Sequence, residues 1–393
     1  MFMSDTVSLY LHIPFCRHRC AYCDFNTYTG LGDLQHAYAE ALAGEIAQVG
    51  QAGRQEAGAP LHARTVFFGG GTPSLMTPAD LGLILQNVRE QFDLASTAEI
   101  TMEANPGTVD GPYLEAVRAL GVNRLSFGMQ SAVEAELALL ERSHDYATVQ
   151  EAVALSRAAG FDNVSLDLIY GLPGQTLDSW RESLNAALAL APDHLSLYCL
   201  TIEPGTPMQR WLLEGRIAAP DPDLASEQYD LACARLAAEG WEHYEISNWA
   251  RPGRACRHNL TYWRNEPYLG LGAGAHGYAG STRYENVKQP RTYLRRLGEG
   301  NGAPYPLSGA AAAAHRVSDE EAMSDTMITQ LRLLVEGLDV DAFARRFERG
   351  VREVYGETIE QLEGWGLLQE RDGRLLLTER GWFLSNQVFY RFL

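Results

Sequence analysis

The stretch PFCRHRCAYCDF, residues 14–25, puts Cys16, Cys20 and Cys23 within eight residues of a chain that has six cysteines. Thiolates are soft ligands that suit zinc or iron–sulfur clusters. A structural zinc site takes a closed set of four ligands, commonly in two C-x2-C pairs far apart. Here the spacing is C-x3-C-x2-C, and the position two beyond Cys23 is Phe25 rather than a fourth cysteine. Three thiolates on a four-iron cluster leave one iron open to an outside ligand, which points to function rather than structure. Zinc stays open as the alternative, with His12 or His18 as its fourth ligand.

Composition sets the context for this chemistry. The 393 residues suffice for one large core and a smaller appended domain. A hydrophobic fraction of 46% with 37 glycines and 17 prolines reads as an ordinary globular protein. No apolar run is long enough for a transmembrane helix, and the start MFMSDTVSLYLHIPF lacks the basic and apolar regions of a signal peptide. Cys199, Cys233 and Cys256 are scattered, so no disulfide framework is expected and a reducing, cytoplasmic setting fits. A net charge of −18 argues against a nucleic-acid surface.

The elements that must position the cysteines alternate. Strand candidates are VSLYLHI (7–13), RTVFFGG (64–70), AEITMEA (98–104), NRLSFGM (123–129), NVSLDLIYG (163–171) and HLSLYCLT (194–201), with amphipathic helical stretches between them. This rhythm predicts βαβ units, a parallel sheet and a full or partial α/β barrel. In such barrels the chemistry sits in loops leaving the C-terminal ends of the strands. The unusual segments obey that rule. The cysteine loop follows the first strand, and GGGTPS (69–74), EANPG with Glu103 and Asn105, GMQS with Gln130, DLIYGLPGQT with Asp167 and Tyr170, and TIEPGTP with Glu203 follow the others. One such loop is an ordinary turn; six on one rim form a site.

With these residues in view, CRHRCAYC resembles the signature of radical S-adenosylmethionine (SAM) proteins, whose open iron binds SAM. More narrowly, LYLHIPFCRHRCAYCDF, FFGGGTPS, EANPGT, RLSFGMQS, DLIYGLPGQT and LSLYCLTIEPGTP resemble the oxygen-independent coproporphyrinogen III oxidase-like group over nearly the whole chain. The resemblance implies a partial (βα)6 TIM-like barrel with Cys16, Cys20 and Cys23 holding a [4Fe–4S] cluster. It implies SAM contacts at Tyr10, Tyr22, Gly70, Gly71, Thr72, Glu103, Gln130, Arg142 and Asp167. The family has Gly before the Arg of GRxH, whereas this chain has Glu141 in ERSH, which makes Arg142 the least secure of these contacts.

The group has two branches. The dehydrogenase branch, which decarboxylates coproporphyrinogen III in porphyrin biosynthesis, carries a fourth cysteine and an N-terminal extension. This chain has Phe25 at that position and fifteen residues before Cys16. Both features resemble the other branch, the HemW-like haem chaperones, which implies binding of haem and its transfer to an acceptor protein, a respiratory one among the candidates. HNLTYW (258–263) resembles that branch's haem-associated motif, with His258 as the implied iron ligand and Cys256 or His276 as lesser ones. Read from the residues alone, His258 and Asn259 cap a turn while Tyr262 and Trp263 pack inside. Both readings stand at this point.

The remaining chain divides into a connecting region, 241–315, after a barrel of 1–240, and a C-terminal α+β domain, 316–393. In the last part, two or three helices precede a hairpin around Asp372–Gly373, the outline of a winged-helix-like module without a basic face for DNA.

Overall fold

The computed structural model describes residues 5–300 and 302–393. The chain forms two units, one reaching Ala232 and including Pro267–His315, the other Cys233–Glu266 with Arg316–Leu393. The stretch 241–315 contributes to both.

The first unit is built on β1 (Thr6–Ile13), β2 (His62–Gly70), β3 (Asp93–Ala104), β4 (Arg124–Gln130), β5 (Val164–Tyr170) and β6 (His194–Cys199). These are the six strands expected from the apolar runs. They pair in parallel and in chain order. Val7, Leu9, Leu11 and Ile13 of β1 are all fully buried, as strands covered by crossover helices require. The helices start where the sequence supplies caps: Thr77, Asp110, Asp145 and Thr176 each accept from a backbone N–H in the first turn that follows.

On its other edge β1 pairs in parallel with Tyr268–Leu271, so β6 does not close onto β1 and the barrel is partial. His276–Ala279 and Thr282–Asn286 continue that side antiparallel, and Ala311–Arg316, the alanine-rich run, ends it. One buried carboxylate secures this arm. Glu45, in α1 (Gln35–Ala57), accepts from Gly272 N at 2.7 Å, Asn286 Nδ2 at 2.8 Å, and Tyr293 Oη and Ser308 Oγ at 2.6 Å each.

The second unit packs the helices Asp319–Gln330, Val340–Phe347 and Val351–Gly364 around Met327, Leu331, Leu338, Ile359 and Leu375. The expected hairpin is there: Leu368–Arg371 pairs antiparallel with Arg374–Leu377. Asp372 and Gly373 both take positive φ, 52° and 72°, as a two-residue hairpin turn needs. A third short strand, Leu338–Asp339, completes the sheet.

Candidate functional site

The cysteine loop is shaped by backbone bonds before its thiols are considered. Cys16 N donates to Tyr28 O at 3.0 Å and Tyr28 N to Pro14 O at 2.7 Å, closing the loop at its base. The glycine loop after β2 runs beneath it: Gly71 N donates to Ile13 O and Thr72 N to Phe15 O, both at 2.8 Å. A Cβ on Gly71 would come within 2.6 Å of Phe15 O and 2.8 Å of Ile13 O. Glycine is therefore required here by the crossing of two loops, besides any approach of a ligand.

A cavity of about 500 Å3 opens at this end of the sheet. It is lined by Cys16, Cys20, Cys23, Tyr22, Gly70, Gly71, Thr72, Glu103, Gln130, Arg142 and Asp167. All sequence-derived residues for the cluster and SAM therefore share one cavity, except Tyr10. That side chain stacks on Phe67 at 6.2 Å, and its hydroxyl lies 3.1 Å from His12 Nδ1. Sequence reasoning passed over Ser126, Gly128, Tyr198 and Cys199, which also line the cavity. Ser126 and Gly128 are legible as alternate positions of β4 that face one way, whereas Gln130 follows a register shift and takes φ 66°.

None of the six cysteines is in a disulfide. Cys16 Sγ lies 3.5 Å from Thr72 Oγ1, and Arg142 Nη1 donates to Cys20 Sγ at 3.3 Å. Burial raises the Cys16 and Cys23 thiols, with Thr72 and the Phe25 backbone working against it respectively. His12 is a poor fourth ligand for zinc, because its ring nitrogens are engaged by Tyr10 Oη and, at 2.9 Å, by Asn26 O. His18 also lines the cavity, 3.7 Å from Glu141, and three thiols on one lining fit a cluster with an open iron.

The part of the lining that carries Glu103 and Asp167 is acidic and half-buried. Glu103 is pushed up to about 7, first by burial and then by the charge of Asp167, with Gly70 N and Arg124 opposing. Burial raises Asp167 as well, against hydrogen bonds from Ser196 and Ser126. Ser126 Oγ donates to Asp167 Oδ1 at 3.2 Å. Both carboxyls are half-buried on the cavity lining, and desolvation there favours their protonated forms. Phe25 stands 62% exposed at the cavity, so the position beyond the third cysteine is a lip and not a ligand.

His258 lies in the second unit, on the helix Arg257–Trp263. It is 1% exposed, and its Nε2 is 2.8 Å from Tyr262 Oη, one turn further on. Trp263 packs under Arg332 at 4.2 Å, and Arg264 pairs with Glu336 at 2.6 Å. In this conformation the imidazole Nε2 is engaged by Tyr262 Oη.

The sheet, the cysteine loop and the cavity at its strand ends define a radical SAM protein. Residues 10–187 match the radical SAM superfamily, and residues 317–384 match the HemN C-terminal domain. Coproporphyrinogen III oxidase (HemN) from Escherichia coli, a radical SAM enzyme of known structure, is similar with a TM-score of 0.83, covering 98% of this chain and 89% of that one at 25% identity. Proteins named heme chaperone HemW are closer in sequence. That of Mycobacterium tuberculosis is 41% identical over 386 residues, 97% of this chain and 93% of its own length, and that of Bacillus subtilis 36% identical over 388, 98% and 99%. The chain belongs to the HemW family.

Proposed function

We propose that this protein is a haem chaperone: it carries a [4Fe–4S] cluster on Cys16, Cys20 and Cys23, binds SAM beside it, and takes up haem for delivery to an acceptor protein. The observation that carries this reading is the single cavity shared by three thiols and the Glu103–Asp167 pair, in a chain whose relatives over nearly full length are named heme chaperones. When bound, the cluster supplies one-electron chemistry to SAM. The chain's own residues do the rest. Gly70, Gly71 and Thr72 line the ligand's path, Glu103 and Asp167 offer acceptors to ammonium or ribose hydroxyls, and Ala104, Ile169 and Leu200 give the lining an apolar part.

No helix among the described residues is long and apolar enough to cross a membrane. The test is anaerobic reconstitution followed by haem titration and transfer to apo-haemoproteins. A stoichiometric haem absorption band that moves to an acceptor supports the chaperone. Conversion of coproporphyrinogen III with consumption of SAM, and no haem uptake, would instead make this a dehydrogenase.

A further inference from the structure

We propose that Arg19 and Phe25 form a seat for haem at the lip of the cavity: the Phe25 ring takes a face of the macrocycle, and the Arg19 guanidinium takes a carboxylate on its edge. This rests on the reading that the protein carries haem. The first unit exposes three large apolar side chains among its described residues, Phe25, Tyr198 and Leu213. Two of them, Phe25 at 62% and Tyr198 at 44%, line the same cavity, and Ile169 and Leu200 add apolar lining. Exposed aromatic faces gathered at one concave place mark a site for an apolar ligand.

The charge at the lip is equally particular. Between Cys16 and Cys20 the loop reads Arg-His-Arg, and all three residues are exposed. His18 lies 3.7 Å from Glu141. Arg19 lines the cavity and Arg17 does not. Among the described residues no carboxylate pairs with Arg19. Asp24 and Glu203 share the lining, so attraction for an anion is local to this guanidinium and not a field over the whole opening. A free guanidinium beside exposed aromatic faces suits a flat apolar ring that carries carboxylates at its edge. Ring and carboxylate are held here whichever residue ligates the iron.

Wild type, R19Q, F25A and R17Q are reconstituted anaerobically and compared in three readouts: haem affinity by absorption titration, SAM affinity by equilibrium dialysis, and iron content after dialysis. Haem dimethyl ester, whose edge has no free carboxylate, is titrated beside haem. R19Q is expected to weaken haem about tenfold and F25A about fivefold, with R17Q like wild type and SAM affinity and iron content unchanged throughout. The ester should bind wild type about tenfold more weakly than haem does, and R19Q should erase that difference. Unmoved haem affinity in R19Q or F25A, an equal loss in R17Q, an ester difference that survives in R19Q, or a fall in SAM affinity overturns the seat. If R19Q or F25A does not fold by circular dichroism, R19K or F25L decides on the same readouts, with smaller losses expected. A wild type that takes up no haem would sink the haem reading itself, which is a different outcome from haem uptake indifferent to Arg19 and Phe25.

Discussion

Glu103 Oε2 accepts from Gly70 N at 3.1 Å, tying the end of β3 to the glycine loop beneath the cysteines. That carboxyl is half-buried near Asp167, and desolvation together with the Asp167 charge raises it from 4.5 to about 7. The folded, ligand-free protein holds its proton more tightly than the unfolded chain. Stability from this group is therefore full below about pH 4.5 and is lost as pH rises through about 7, a change of about 3 kcal/mol at most. Thermal melts of the cluster-free protein between pH 5 and 8 should show Tm falling with pH, and Glu103→Gln should flatten the profile. An equally steep fall in the variant would show that the pH dependence has another source.

Glu45 is expected to be the most sensitive position outside the cavity. Replacing it with Ala leaves four buried donors from the 267–315 arm without their acceptor. The cost should be about 3 kcal/mol or more, read by urea unfolding, with early proteolysis in the arm. Glu45→Gln should cost less, since one oxygen remains to accept from Asn286 and Ser308.

Glu141 has φ 52°, in the left-handed region where a side chain is strained. This explains the family's glycine before the arginine. The only ion pair Glu141 shows among the described contacts is to His18, at 3.7 Å on the surface, and such a pair contributes little. Glu141→Gly should stabilise the fold by about 0.5–1 kcal/mol, measured as a higher urea midpoint. A lower midpoint would mean that the His18 contact or the unfolded-state entropy dominates.

The bond between His258 and Tyr262 separates two roles for HNLTYW. If His258 binds haem iron, Tyr262 must first turn away, so Tyr262→Phe should tighten haem binding while His258→Ala abolishes the band. If the motif only packs, both substitutions should lower stability by about 1–2 kcal/mol and leave any haem band of the folded protein in place. Absorption titrations beside melting curves decide between the two.

Much of this protein is legible in its residues in order. The C-x3-C-x2-C spacing, the six β-branched runs and the polar residues closing each of them are local features, and strand polarity puts such closing residues on one rim. The turn at Asp372–Gly373 is equally local, because only certain residues adopt its dihedrals. Other properties arise only when distant segments meet. Nothing near Glu45 in sequence foretells that Gly272, Asn286, Tyr293 and Ser308 converge on it, nor that the alanine-rich run becomes an edge strand. Arg142 reaches Cys20 across 122 positions, and Glu103 gains its raised pKa from burial beside Asp167, 64 residues on. His258 reads as a ligand from its motif, and in the packed chain its Nε2 meets Tyr262 Oη one helical turn away. Residue type and spacing determine which chemistry is available. Burial and long-range pairing determine which groups are free to carry it out, because desolvation and hydrogen-bond partners are set by the packed chain.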